Sequence, residues 1–156
     1  MTAKVAMLRP KRKARSSPTR KRYVLNEQVG FLLRVAMQRH TTIFTARMIE
    51  ELTQTQFAAL AKLLEAGPCS QNHLGRLIYL DAATIKGVVD RLRARGLVAT
   101  AGDARDRRRR AVALTPAGRR VTEAAITVAA QTTAQTLAPL SSQEQRAVVR
   151  LLKKLG

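Results

Sequence analysis

The sequence predicts a mainly α-helical fold that carries a small β-hairpin, and three observations support this. Apolar residues recur at the three- and four-residue spacing of helices along most of the chain. Helix-start residues precede these periodic segments one after another. Two short apolar runs, 97–99 and 111–114, flank an arginine-rich polar stretch and read as the strands of a hairpin.

The elements follow in order. Residues 1–22 hold nine cations (Lys4, Arg9, Lys11, Arg12, Lys13, Arg15, Arg20, Lys21 and Arg22), two prolines and no acid. Such a segment cannot bury enough apolar surface to offset its ordering entropy, so a disordered basic tail is expected ahead of a domain at 23–156. Leu25, Val29, Leu32, Leu33, Ala36, Ile43 and Phe44 predict a long helix from Val24 to about Glu50. Thr53 with Gln56 reads as a capping box opening a helix over Phe57, Leu60 and Leu64, which Gly67-Pro68 stops. Ser70 caps a short helix carrying Leu74, Leu77 and Ile78. Asp81 caps the next, where Ile85, Val88, Val89 and Leu92 form one apolar stripe and Gly96 ends it. After the hairpin, Thr115-Pro116 starts a helix running to about Leu137. Pro139 breaks it, and Ser141 with Glu144 caps a last helix over Ala147, Val148, Leu151, Leu152 and Leu155.

Charge bounds the partner. Twenty-nine Lys and Arg against ten Asp and Glu give +19 at neutral pH over 156 residues, so taking away the tail's nine cations still leaves +10. A field of that sign attracts nucleic acid or an anionic membrane surface. No stretch approaches the roughly 20 apolar residues of a membrane span, and no apolar segment follows the basic start as in a secretory signal. One cysteine, Cys69, allows no intrachain disulfide, which suits a cytoplasmic setting. Tryptophan is absent and aromatics make up 3%, so single-strand stacking platforms are disfavoured and duplex DNA is the better partner.

Two short helices joined by a tight turn and followed by a basic hairpin make a winged helix-turn-helix at about 53–115. The stripe of the Asp81-capped helix leaves Ala82, Ala83, Thr84, Lys86, Gly87, Asp90 and Arg91 outward. Small residues at its start let the backbone approach base edges, and Lys86 can reach a guanine or a phosphate. Ser70, Gln71 and Arg91 are placed for phosphate contacts that set register. At the hairpin tip, Asp106 beside Arg105 and Arg107 can pre-orient a guanidinium for the narrow minor groove. A plain solvated charged face is the bland alternative for the helix taken alone.

Several segments resemble the MarR family (multiple antibiotic resistance regulators): 81–92 around Thr84-Ile85-Lys86, then Arg95-Gly96-Leu97-Val98, the Asp-x-Arg-Asp-x-Arg run at 103–108, and Leu114-Thr115-Pro116-Ala117-Gly118. Gly87 departs from the family, whose members often carry a larger polar residue there. The resemblance implies a homodimer joined through helices at about 24–50 and 116–155. Each subunit would place its recognition helix in the major groove and its wing in the minor groove of a palindromic operator. It also implies that Arg105 and Arg108 lie nearest DNA with Asp106 as their brace. Residues 28–34, 38–40 and 67–72 are similar to the subgroup controlling nicotinate breakdown, which implies a small aromatic acid, 6-hydroxynicotinate, as the releasing ligand.

From the residues themselves, His40 shares the first helix's apolar face with Phe44 and Arg47 and can receive a carboxylate, with His73 a second candidate. An interface histidine bonded to a carbonyl is the plainer reading of His40. Ala124, Ala125, Val128, Ala129 and Thr132 form a small-residue face suited to helix packing between subunits, or to closing the monomer's own core. Neither a metal cluster nor a catalytic nucleophile and base is apparent, and no cofactor is expected. The expected function is a cytoplasmic repressor, nucleoid-associated when bound to DNA. The alternative is a nucleoid-type architectural protein that coats DNA without sequence preference.

Overall fold

A computed structural model describes residues 22–102 and 110–156. The tail, up to residue 21, and the hairpin tip at 103–109 lie outside the described residues, and with them Arg105, Asp106, Arg107 and Arg108.

Six α-helices and three short strands follow the expected order: α1 Val29–Arg47, α2 Gln54–Ala66, β1 Cys69–Ser70, α3 Gln71–Leu77, α4 Ala82–Ala94, β2 Val98–Gly102, β3 Arg110–Leu114, α5 Pro116–Leu137 and α6 Ser142–Leu152. The starts of α2 to α6 are each made by the side chain that the sequence marked for it, whereas α1 has no side-chain cap. Thr53 and Ser141 form full capping boxes with Gln56 and Glu144, while Ser70, Asp81 and Thr115 accept from the backbone N–H three residues on. Each cap satisfies an orphan N–H of its helix.

Three boundaries differ from expectation. The first helix is shorter than 24–50: Leu25–Glu27 is a separate 3-10 turn, and the chain leaves helical geometry at Met48. The physical reason is tertiary. An extended Met48 places its side chain and that of Leu52 in the core, and the turn between them takes left-handed backbone at Glu50 (φ 54°) and Glu51 (φ 49°). Arg95 then donates from Nη2 to the Glu50 carbonyl oxygen at 2.6 Å. The last helix ends at Leu152, before Leu155. β1 was not foreseen; it pairs antiparallel with β3 (Cys69 opposite Val112), giving a sheet of order β1-β3-β2. Two residues after Gly67-Pro68 are too few to show a strand period.

The core lies where α2, α3, α4 and the sheet meet, with Leu60, Leu74, Ile85, Val88 and Leu92 fully buried. Burying side chains of this kind contributes roughly 1.5–3 kcal/mol each. α5 packs along both α1 and α2. Of the two readings of the small-residue face, the structure favours closing the monomer's own core: Ala125 and Thr132 are buried and Val128 and Ala129 half-buried against the same chain, leaving only Ala124 exposed. Gly118 is buried where α5 crosses the backbone of Leu97.

Candidate nucleic-acid interface and effector cleft

The helix-turn-helix is α3 and α4. They cross closely because Gly75 has no side chain: a Cβ there would lie 3.1 Å from both Ile85 Cγ2 and the Leu80 carbonyl oxygen. The turn between them carries Tyr79 with left-handed backbone (φ 57°) and 88% exposed, a residue the sequence did not single out. No pattern in the sequence marks that conformation, which glycine or asparagine would adopt more easily.

α4 presents the face its period predicts. Ile85, Val88, Val89 and Leu92 are buried, while Ala82, Ala83, Thr84, Lys86 and Arg91 are exposed and Gly87 half-buried. Asp81 accepts from the Thr84 N–H at 2.9 Å and from its hydroxyl at 2.6 Å, and these bonds hold the Asp81 carboxyl below the usual aspartate range. Beyond the cap, Asp90 accepts from Lys86 Nζ on one oxygen and from Arg93 Nη2 on the other, each at 2.8 Å. The Lys86 bond also lowers the Asp90 carboxyl's pKa. Spacings of four and three residues on one helix allow both pairs, but neither pairing nor Arg93 was singled out from the sequence.

Ser70 is exposed and Gln71 half-buried at the start of α3. His73 lies on the same helix, exposed, with Arg76 Nη2 3.4 Å from its Nδ1, and does not line the cleft described next. Cys69 is half-buried and burial pushes its thiol up, away from the reactive thiolate.

That cleft, about 260 Å³, opens between α1, α2 and α5, lined by Met37, His40, Phe44, Gln54, Phe57 and Thr132 among others. The Thr136 hydroxyl donates to the Thr132 carbonyl oxygen at 2.8 Å, so its contact with His40 Nδ1 at 3.0 Å is best made by an N–H on Nδ1. The other ring nitrogen, Nε2, is then left for whatever occupies the cleft. The rings of His40, Phe44 and Phe57 run in series at centroid distances of 6.3 and 6.1 Å, from α1 to α2. Arg47 does not join His40 in this cleft. It is exposed and spans to α5, donating to Gln135 Oε1 at 2.6 Å and Gln131 Oε1 at 3.3 Å. Thr136 and Gln54 belong to the site but carried no sequence signal. Among the described residues no cluster of His, Cys, Asp or Glu could hold a metal, and no helix is long and apolar enough to cross a membrane.

Comparison with known proteins now bears on this geometry. A sequence profile of the MarR family matches residues 50–109. The HTH-type transcriptional repressor NicR of Pseudomonas putida is 42% identical over 134 residues, 85% of each chain. The chain belongs to the MarR family. As a MarR-family protein it is a sequence-specific DNA-binding transcriptional regulator rather than an enzyme or a non-specific coat protein. Its winged helix-turn-helix fold recurs in a probable transcriptional regulator from Pseudomonas aeruginosa, with 50% identity, a TM-score of 0.82, and coverage of 85% of this chain and all of that one. Bordetella bronchiseptica BpsR, whose DNA binding is regulated by 6-hydroxynicotinic acid, is 41% identical with a TM-score of 0.80, over 86% of this chain and 96% of its own.

Proposed function

We propose that this MarR-family chain is a cytoplasmic, homodimeric repressor that leaves a palindromic operator when a small aromatic acid, 6-hydroxynicotinate as first candidate, enters the cleft at His40. The observation that carries the reading is the His40 cleft itself. It is apolar on its ring-lined side, takes a flat molecule's volume, and offers one imidazole nitrogen for a polar substituent. Likeness to BpsR supports the choice of acid, and likeness to NicR supports repression.

The dimer rests on surface that one chain cannot cover. α1 buries only Phe44, leaving Val29, Leu32 and Leu33 exposed, and α6 buries nothing although Leu151 and Leu152 lie along it and Leu155 follows. Exposed apolar side chains in this number support an interaction surface. In the dimer, Ala82, Ala83, Thr84, Lys86, Gly87 and Arg91 face the major groove, and Ser70 and Gln71 face phosphates. The wing tip, with Arg105, Arg107 and Arg108 braced by Asp106, enters the minor groove. Ligand between α1, α2 and α5 shifts the population toward a spacing of recognition helices that misses half-sites about 34–36 Å apart.

Fluorescence anisotropy on an operator duplex, titrated with 6-hydroxynicotinate and with benzoate, tests the ligand. The hydroxynicotinate should release the wild-type protein and fail to release His40→Ala, whose operator affinity stays intact. Release of both proteins alike, or of neither, would sink the assignment. Sedimentation equilibrium checks the dimer, and a single-chain mass at operator-binding concentrations overturns it.

A further inference from the structure

The recognition helix carries three cations, but two of them are already held. Lys86 and Arg93 each donate to a different oxygen of Asp90 at 2.8 Å. Arg91 has no acceptor of its own within hydrogen-bond distance among the described residues. Its guanidinium instead runs one turn toward the N-terminus and lies over Gly87. A Cβ built on Gly87 would be 3.5 Å from Nη1, 3.6 Å from Nη2 and 3.8 Å from Cζ of Arg91. Both terminal nitrogens are nearer than Cζ, so it is the fork end of the guanidinium that reaches back to the glycine. Gly87 therefore provides the ledge on which the fork rests, and any longer side chain there would take its place. Side chains of a helix lean toward its N-terminus, which for α4 is the end where Ala82, Ala83 and Thr84 leave the surface low.

We infer that Arg91, delivered across Gly87, is the base-reading residue of this helix, and that its ligand is the O6 and N7 edge of a guanine in the major groove. A guanidinium held on the outward face with no acceptor among the described residues can make the bidentate contact that specifies guanine. Lys86, tied to Asp90, serves as the positioning charge. The assignment rests on the reading of α4 as the DNA-facing helix, and it reverses the simpler allocation in which Lys86 reads a base and Arg91 a phosphate.

The test uses the full chain, a duplex selected by the wild-type protein from a random-sequence library, and a scrambled duplex of equal composition. Arg91→Lys keeps the charge but loses the fork. It should lower affinity for the selected duplex by about tenfold or more while leaving the scrambled duplex within about twofold. Gly87→Gln keeps Arg91 but occupies its ledge, and should reproduce that loss with an unchanged sedimentation mass and melting curve. Replacing the critical guanine with 7-deazaguanine should cost the wild-type protein affinity and cost Arg91→Lys nothing further. A phosphate role predicts otherwise: Arg91→Lys near neutral, and Arg91→Ala weakening both duplexes alike with a salt slope lower by about one. That outcome, or an unaltered preference in Gly87→Gln, overturns the assignment while the repressor reading stands. A wild-type preference near one between the two duplexes overturns both.

Discussion

At the residue scale, Gly118 shows how one missing methyl group sets a junction. Its backbone N–H donates to the Thr115 hydroxyl at 2.9 Å, and the same hydroxyl donates to the Gly96 carbonyl oxygen at 2.7 Å, so α5 begins pressed against the end of α4. A Cβ on Gly118 would overlap the Leu97 carbonyl oxygen, which also accepts from the Thr115 N–H at 3.1 Å. The obstacle is backbone, not a flexible side chain, so the crossing itself must open. Gly118→Ala should lose about 1–3 kcal/mol of stability, despite alanine's better helix propensity. Urea unfolding checks this: the midpoint should fall at constant slope, and an unmoved midpoint would show that the crossing relaxes freely. The sequence carried the motif around Gly118 but not the reason for it, because the clash depends on where Leu97 lies. The same holds in the cleft. His40 and Phe44 follow from helical spacing, whereas Arg47, on the same stripe, is drawn away by Gln131 and Gln135 of α5.

At the element scale, the cap of α4 links the fold to the DNA-facing surface. Asp81 holds the first turn, and so the backbone of Ala82, Ala83 and Thr84, in place through its bonds to Thr84. Because the Thr84 hydroxyl and N–H favour the ionised carboxylate, the folded pKa lies below the unfolded one. A lowered value contributes stability at pH above the ordinary aspartate range, about 3.9, and that contribution is lost as pH falls through the folded value. The difference in urea midpoint between wild type and Asp81→Ala should therefore be constant from neutral to mildly acid pH and shrink only below it. A difference that fades well above that range would place the cap's strength elsewhere. Starts of elements were readable because caps are local: Thr53, Ser70, Asp81, Thr115 and Ser141 each reach only three residues ahead. The end of α1 was not, since Met48 and Leu52 leave the helix to fill a core built by distant segments. The outward face of α4 was equally readable from its period. Which of its cations lacks an acceptor among the described residues was not, because that depends on Asp90 bonding Lys86 and Arg93 and on Gly87 sitting beneath Arg91.

At the scale of the whole molecule, the charge divides into parts with different consequences for DNA. Of the net +19, nine cations lie in residues 1–22, and the remaining +10 belongs to the body that carries α4 and the wing. The body carries α4, whose outward side chains can distinguish one sequence from another. If the charges in the first 22 residues meet only phosphates, which every duplex presents alike, they add affinity without choosing a site. Removing residues 1–22 should thus weaken binding to the operator and to scrambled DNA by the same factor and leave their ratio unchanged. The logarithm of affinity should also become less steep against the logarithm of salt, by up to about eight per chain if each of the nine cations neutralises a phosphate at about 0.9 apiece. Binding to both duplexes across a salt series measures ratio and slope together. A truncated chain whose operator preference collapses would show that the basic segment takes part in reading sequence. An unchanged slope would show that its cations do not meet phosphates at all. With ratio kept and slope reduced, the two halves of the charge separate cleanly: one part raises the local concentration of DNA, and the part built on α4 chooses the site.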